Sequence, residues 1–171
     1  LTSTEKYHEF IEKLEKELTA KGLPMPTFIV GQTGTLTRKT EQVGTYNFHN
    51  AYDLAQMAKQ YGVGLKEHNA DYLDDVTLLE HIPANVTASN VAPQYGTEET
   101  RAYLKLCDVE KILKEEGLLD ETSDLRNTLL VKAIKTERWR KWMMGEQRNL
   151  QVEDILKDEA LSLEILDISG H

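Results

Sequence analysis

A short apolar run, Thr27-Phe28-Ile29-Val30, decides the fold of this chain. β-branched and aromatic residues in an unbroken run are typical of a strand that is covered on both faces of a parallel sheet. Two more strands are predicted, at Gly64 to His68 and at about Asn85 to Ala92. Helical segments separate the three, and this alternation predicts parallel strands that are joined by crossover helices. The expected fold class is therefore α/β.

Helices are predicted where apolar residues recur at spacings of three and four. Gly22 and Pro24 end the first helix, whose apolar stripe consists of Tyr7, Phe10, Ile11, Leu14 and Leu18. The later helices are expected at about 50–61, 71–81, 98–116, 122–143 and 151–161. Pro83 is expected to break the third helix, and Thr97 is expected to cap the fourth.

The length and the two ends of the chain indicate a piece of a larger fold. The chain has 171 residues, starts at Leu1 without an initiator Met, and stops at Ser169-Gly170-His171, directly after an apolar stretch. A (β/α)8 TIM barrel takes eight strand–helix units and about 250 residues. An open sheet of three strands would leave unpaired edges. We therefore expect the later part of such a barrel, about three units over residues 1–116, and a C-terminal helical extension over residues 117–171 that packs on it.

The composition excludes some classes of function. Lys and Arg number 20 against 29 Asp and Glu, for a net charge of −9. This charge repels phosphate backbones and anionic membranes, so neither nucleic acid nor a membrane is expected as a partner. No apolar stretch is long enough to span a bilayer. Cys107 is the single cysteine, which suits a cytoplasmic location.

Polar residues follow each predicted strand, where parallel α/β folds place their ligand sites. The densest cluster is Glu67-His68-Asn69-Ala70-Asp71. Strand alternation puts Glu67 and Asn69 on one face and His68 on the other. His68 suits a divalent metal or proton transfer, and a carboxylate beside it completes such a site. The alternative is that His68 bonds locally and the acidic residues cap the next helix.

The other two strand ends supply candidate substrate contacts. Gln32 and Thr33 lie in Gly31-Gln32-Thr33-Gly34-Thr35, which lacks the full phosphate-loop pattern and is otherwise a flexible turn. Asn90 and Gln94 flank Pro93, which favours an extended strand end. The isolated histidines His49 and His81 are interpreted as structural.

These strand-end motifs and the tail motif Trp139-Arg140-Lys141-Trp142 together resemble a known family. It is the accessory, non-catalytic (Z-type) subunit of tagatose-bisphosphate aldolase, and the resemblance extends from about Pro26 to Trp142. It is carried above all by the histidine–x–x–aspartate–tyrosine segment that begins at His68 and by the segment Asn90 to Glu99. The acidic Glu67 departs from the family pattern, which is less acidic before the histidine.

The resemblance implies a barrel subunit that acts on a ketose (bis)phosphate, by aldol cleavage or condensation directly or by supporting a catalytic aldolase subunit. Related ketose and keturonate epimerases imply a divalent metal ion (Zn, Mn or Mg) that polarises a carbonyl. His68 is then a ligand or acid–base group, Asp71 a ligand or orienting group, and Glu67 a further acid–base group. Gln32, Thr33, Asn90 and Gln94 are expected to contact substrate. A metal-dependent epimerase and a non-catalytic stabilising subunit remain alternatives, and a homo- or hetero-oligomer is expected.

Overall fold

The computed structural model describes residues 1–169, which form two compact units, Leu1–Val91 and a second that begins at Ala92. Gly170 and His171, at the chain end noted above, lie outside the described residues. The division falls before the fourth long helix, whereas the expected boundary between residues 116 and 117 falls directly after that helix.

The first unit is α/β. Its elements are α1 (Thr4–Ala20), β1 (Phe28–Gly31), β2 (Thr37–Arg38), β3 (Glu41–Gln42), α2 (Phe48–Gln60), β4 (Gly64–Glu67), α3 (Asp75–Ala84) and β5 (Val86–Ser89). A parallel sheet has the strand order β1-β4-β5, with Ile29 opposite Leu65 and Leu65 opposite Val86. The predicted α/β class and its three parallel strands are confirmed. The segment between β1 and α2 also contains an antiparallel hairpin of β2 and β3.

The core of the first unit lies between the sheet and the helices α1 and α2. Ile29 and Leu65 are buried against Tyr7, Ile11 and Leu54. Neighbouring strand residues point to the opposite face of the sheet. On that face Phe28 is 42% exposed and Val30 is 48% exposed. One face of the sheet is therefore covered by helices and the other is open.

Local signals at the helix ends are partly confirmed. Gly22 closes the first helix with a left-handed φ of 64°. Phe10 was predicted on the apolar stripe but is 54% exposed. The third helix begins at Asp75, where Asp74 Oδ1 accepts a hydrogen bond from Thr77 N at 2.7 Å. Pro83 does not stop this helix but lies in its last turn. Proline removes one helical hydrogen bond there, and the helix ends directly afterwards.

The second unit is helical within the described residues. It contains α4 (Pro93–Glu115), α5 (Leu125–Lys135), two 3-10 helices (Arg138–Trp142 and Gly145–Asn149), α6 (Val152–Ile155) and α7 (Glu159–Ser169). Thr97 does not cap α4, because α4 begins at Pro93, a residue preorganised for a first helical turn. The helix expected over 122–143 ends at Lys135, and Glu137 adopts a left-handed φ of 54°. The core contains Ile134, Trp139, Met143, Ile155, Ile165 and Ile168.

None of the helices within residues 1–169 combines the length and the apolar character that a membrane span requires.

Candidate functional site

The carboxyl ends of β1, β4 and β5 meet at one edge of the sheet because the strands are parallel. His68 and Asn90 follow the adjacent strands β4 and β5, and Asn90 Nδ2 lies 3.2 Å from His68 Nδ1. Main-chain bonds hold the two segments in register. Asn90 N donates to Glu67 O at 2.9 Å, and Ala70 N donates to Asn90 O at 2.9 Å. The structure thus brings together two of the predicted site residues.

The contact between His68 and Asn90 selects a tautomer of the imidazole. An amide nitrogen only donates, so His68 Nδ1 accepts the bond from Asn90 Nδ2. Neutral His68 then carries its proton on Nε2. Both side chains are half-buried. In this state His68 offers one N–H donor to a bound molecule, which suits hydrogen bonding to a carbonyl or hydroxyl oxygen.

Glu67, in contrast, lies in the interior. Its side chain has no exposed surface, one carboxylate oxygen accepts from the Thr33 hydroxyl, and the other contacts His81 Nε2. His81 projects from α3, so Glu67 faces the helix side of the sheet. Thr33 is likewise fully buried. Glu67 and Thr33 are thus held in a buried hydrogen-bonded network, and the acid–base and substrate roles expected of them stay predictions.

The environment of His81 favours its protonated form. Desolvation by burial, the largest single influence, lowers the pKa of His81, but the hydrogen bonds to Glu67 and Thr77 and the charges of Glu67 and Glu80 raise it by more, so the net direction is upward. His81 Nδ1 lies 2.6 Å from Thr77 O, an acceptor, so this nitrogen carries a proton. Protonated His81 can then donate to Glu67 from the other ring nitrogen. The two side chains form a buried ion pair.

Tyr46 covers this pair. Its ring stacks on the His81 ring with centroids 4.9 Å apart and planes at 16°. Burial, followed by the negative charges of Glu67 and Glu80, raises the pKa of the Tyr46 hydroxyl. That buried hydroxyl has no hydrogen-bond partner among the described residues. Tyr46 therefore stays neutral and shields the ion pair from water.

The strand alternation predicted for Glu67 to Asn69 stops at Glu67, where β4 ends. Asn69 and Tyr72 both adopt left-handed backbone conformations, with φ values of 60° and 58°. The candidates His68 and Asp71 therefore lie in a tight turn over residues 68–72, not on an extended strand. Asp71 is buried, with 3% of its surface exposed.

The remaining candidates occupy different surroundings. The main chain of Gln32 pairs with Thr2, accepting from Thr2 N at 2.9 Å and donating to Thr2 Oγ1 at 2.9 Å. Its side chain is half-buried at the end of β1. Gln94 lies in the first turn of α4, in the second unit. Gln32 thus belongs to the same strand edge as His68, whereas Gln94 belongs to a different unit.

A divalent metal does not fit the residues of this edge as they stand. Within residues 1–169 no group of three His, Cys, Asp or Glu side chains is placed to hold a metal ion. A metal-bound histidine almost always donates its second ring N–H to an acceptor. His68 Nδ1 instead faces a donor, Asn90 Nδ2.

Comparison with known proteins gives a match at the level of fold. No family model matches the chain, and no curated protein matches it. Among solved structures, the chain is similar to a probable tagatose 6 phosphate kinase from Sinorhizobium meliloti 1021, with a TM-score of 0.57 and 18% sequence identity. The match covers 99% of this chain and 46% of that one, so the chain spans about half the length of the solved structure. At this identity the similarity shows a shared fold alone.

Sequence reasoning did not identify the side chains that support the turn. His81 was interpreted as an isolated structural histidine, and its partner Glu67 lies 14 residues earlier. Tyr46 and Gln42 were not among the predicted site residues. His81, Tyr46 and Gln42 lie in no recognisable motif, and no local pattern in the sequence indicates their contacts.

Proposed function

We propose that this chain is part of a (β/α)8 barrel of carbohydrate metabolism, of the tagatose-bisphosphate aldolase type, that binds a ketose (bis)phosphate at the carboxyl ends of its strands. It would take part in aldol cleavage or condensation, directly or by supporting a catalytic partner. One observation carries the proposal. The half-buried side chains of His68 and Asn90 meet at the carboxyl ends of two adjacent parallel strands.

The open sheet supports a partial barrel. Strands β1 and β5 are the two edges of the three-stranded sheet, and Phe28 and Val30 are exposed on its uncovered face. In a closed barrel every strand is paired on both sides, and the face of the sheet away from the helices points to the barrel interior. The solved structure of similar fold is about twice as long as the aligned region. Further strands from the rest of a barrel would account for both the open edges and the open face.

A ketose phosphate is supported by two independent similarities. The strand-end motifs resemble the accessory subunit of tagatose-bisphosphate aldolase. The solved structure of similar fold is named for tagatose 6-phosphate, a ketose phosphate. Either similarity by itself is distant. They agree on the substrate class.

The proposal gives each side chain of the site a role. Asn90 fixes His68 in the tautomer that carries a proton on Nε2. That N–H can donate to the substrate oxygen on which negative charge develops when the carbon–carbon bond breaks. Asp71, in the same turn, orients the segment. Gln32 completes the edge as a hydrogen-bonding side chain at the end of β1.

A non-catalytic stabilising role is the second candidate, and the surface of α3 favours it. Four apolar side chains of this helix are exposed: Val76 (67%), Leu78 (52%), Leu79 (69%) and Ile82 (79%). A contiguous apolar surface of this kind marks a contact with other protein. This surface would serve a homo- or hetero-oligomer, including one with a catalytic aldolase subunit. The epimerase alternative relied on Glu67 as a second acid–base group, and the burial of Glu67 weakens it.

The test is a turnover assay of the protein that carries this chain, without a partner subunit. A ketose bisphosphate and a free keturonate are supplied in turn, with and without manganese or zinc. Cleavage products that His68→Gln abolishes would support the proposal, and His49→Gln, at an exposed histidine, is the matched control. A stereoisomer as the product would favour an epimerase. Absence of turnover would favour the stabilising role.

A further inference from the structure

The turn over residues 68–72 has a backbone that needs external support. Asn69 and Tyr72 both have positive φ values, 60° and 58°, although neither is glycine. Such conformations persist only where surrounding contacts hold them in place, and they cluster at functional sites. Contacts from the hairpin of β2 and β3 hold this turn.

The side-chain amide of Gln42 makes four hydrogen bonds that join the hairpin to the turn. Its Nε2 donates to Asn69 O at 3.0 Å and to Asp71 O at 3.0 Å. Its Oε1 accepts from Leu36 N at 2.6 Å and from Gly44 N at 3.1 Å. An amide side chain has two donor hydrogens and two acceptor lone pairs, so Gln42 uses its full capacity.

The base of the hairpin is tightly packed and gives Gln42 a fixed support. Val43 N and Gly44 N both donate to Leu36 O, at 2.8 Å and 3.2 Å. A Cβ atom at Gly44 would lie 2.3 Å from Gly34 O and 2.4 Å from Leu36 N, so only glycine fits there. The Gln42 amide is therefore held by the rigid part of the hairpin.

Thr35 adds a second contact next to the first. Its hydroxyl donates to His68 O at 2.6 Å, and the side chain is buried. Three carbonyls of the turn thus receive side-chain donors from residues 35, 37 and 42. The bonds end on His68 O, Asn69 O and Asp71 O.

We propose that Gln42 is a positioning residue of the candidate site. Its amide holds the strained turn in the conformation that places His68 and Asp71 at the carboxyl edge of the sheet. The functional part of this inference rests on the proposed function of that edge. The structural part, that Gln42 controls the turn and not the whole unit, stands by itself.

The test compares Gln42→Glu with Gln42→Met in the ¹⁵N-labelled protein. Glutamate keeps an oxygen that can accept both bonds from the hairpin but loses both donors to the turn, whereas methionine loses all four bonds. In Gln42→Glu we expect shifts of the Ala70 and Tyr72 amide nitrogens, which follow the released carbonyls, and loss of hydrogen-exchange protection confined to the turn. The Leu36 and Gly44 amides should stay protected. In Gln42→Met the Leu36 amide should also lose protection, whereas the Gly44 amide keeps its bond to Leu36 O.

Glu41→Gln is the control, because the exposed Glu41 precedes Gln42 on β3 and its substitution changes the charge by the same magnitude with the opposite sign. It should leave the turn unchanged. Unchanged Ala70 and Tyr72 amides in Gln42→Glu would overturn the inference. An equal change throughout residues 1–91 would also overturn it, since that is loss of fold. If Gln42→Glu does not fold, Gln42→Met decides the question through the same Ala70 and Tyr72 amides, because methionine also lacks the donors to Asn69 O and Asp71 O.

Activity separates this inference from the proposed function. If wild-type protein turns over a ketose phosphate, Gln42→Glu should lose turnover at temperatures where it remains folded, and Glu41→Gln should retain it. Full turnover by Gln42→Glu would overturn the positioning role. If wild-type protein shows no turnover while the turn still responds to Gln42→Glu, the proposed function fails and the structural control by Gln42 stands.

Discussion

His81 and Glu67 form a hydrogen-bonded ion pair in the interior of the first unit, beneath the turn that carries the candidate site. Glu67 has no exposed surface and His81 is 8% exposed. Burying two charges is costly unless they pair and their remaining polar atoms are hydrogen-bonded. Here the Thr33 hydroxyl donates to Glu67, and His81 Nδ1 contacts Thr77 O. The pair links α3 to the end of β4, so it affects both stability and the position of the site.

Stability should depend on pH through His81. Its pKa is raised in the folded protein above the ordinary value of 6.5. The folded state therefore binds the proton more tightly, and the resulting stabilisation is complete below pH 6.5 and lost as the pH rises through the folded pKa. We expect the free energy of unfolding to fall by up to about 1.4 kcal/mol per pH unit in that range, the limit for one proton.

Urea denaturation of wild type and His81→Gln across this pH range measures the effect. The difference between the two curves isolates His81 from other titrating groups. The difference in the free energy of unfolding between wild type and His81→Gln should become smaller as the pH rises. A difference that is constant with pH would contradict protonation of His81 in the folded state.

The pair should also show strong coupling between its members. His81→Leu leaves a buried carboxylate without its cation and should cost about 3 kcal/mol of unfolding free energy. Adding Glu67→Gln removes the charge while keeping an oxygen for the Thr33 hydroxyl, so the double variant should recover most of the loss. A double-mutant cycle by urea denaturation measures this. Additive losses would show that the two side chains act independently.

The chain should bind divalent metal ions only weakly. His68 and Asp71 supply two ligands at most, and the described residues contain no cluster of three. Calorimetric titration with zinc, manganese and magnesium should therefore give dissociation constants in the millimolar range. Micromolar binding that His68→Gln abolishes, with His49→Gln unaffected, would contradict this expectation.

The two tryptophans of the second unit should differ sharply in their contribution to stability. Trp139 is fully buried and its Nε1 donates to Ile134 O at 3.0 Å, whereas Trp142 is 43% exposed. Trp139→Ala should cost about 3–5 kcal/mol through the cavity that it creates. Trp142→Ala should cost much less. Thermal or urea denaturation compares them, and equal losses would place both side chains in the core.

Local patterns predicted the elements that local forces determine. The strands around Ile29 and Leu65 form where the sequence predicted them, because the alternation of strand and helix is visible over short stretches of sequence. Pro83 shows the limit of a local rule. A proline was expected to stop α3, but the loss of one hydrogen bond is tolerated in the last turn of a helix.

The site was predictable only in outline. His68 and Asn90 were expected because they follow strands that end at the same edge. The position of Glu67 depends on which sheet face the helices cover, and that is set by long-range packing. Gln42 supports the turn through bonds to Asn69 and Asp71, which lie 27 and 29 residues away. No short window of sequence contains both ends of such contacts.

Titration of the ¹⁵N-labelled chain with tagatose 6-phosphate, followed by NMR up to millimolar concentration, tests the central claim most directly. The account predicts saturable shifts of the His68 ring nitrogens and the Asn90 side-chain amide, absent when inorganic phosphate replaces the sugar phosphate. In His68→Gln the shift of the Asn90 side-chain amide should be lost. Shifts confined to other surfaces, or none at all, would contradict a ketose phosphate site at the carboxyl ends of β1, β4 and β5.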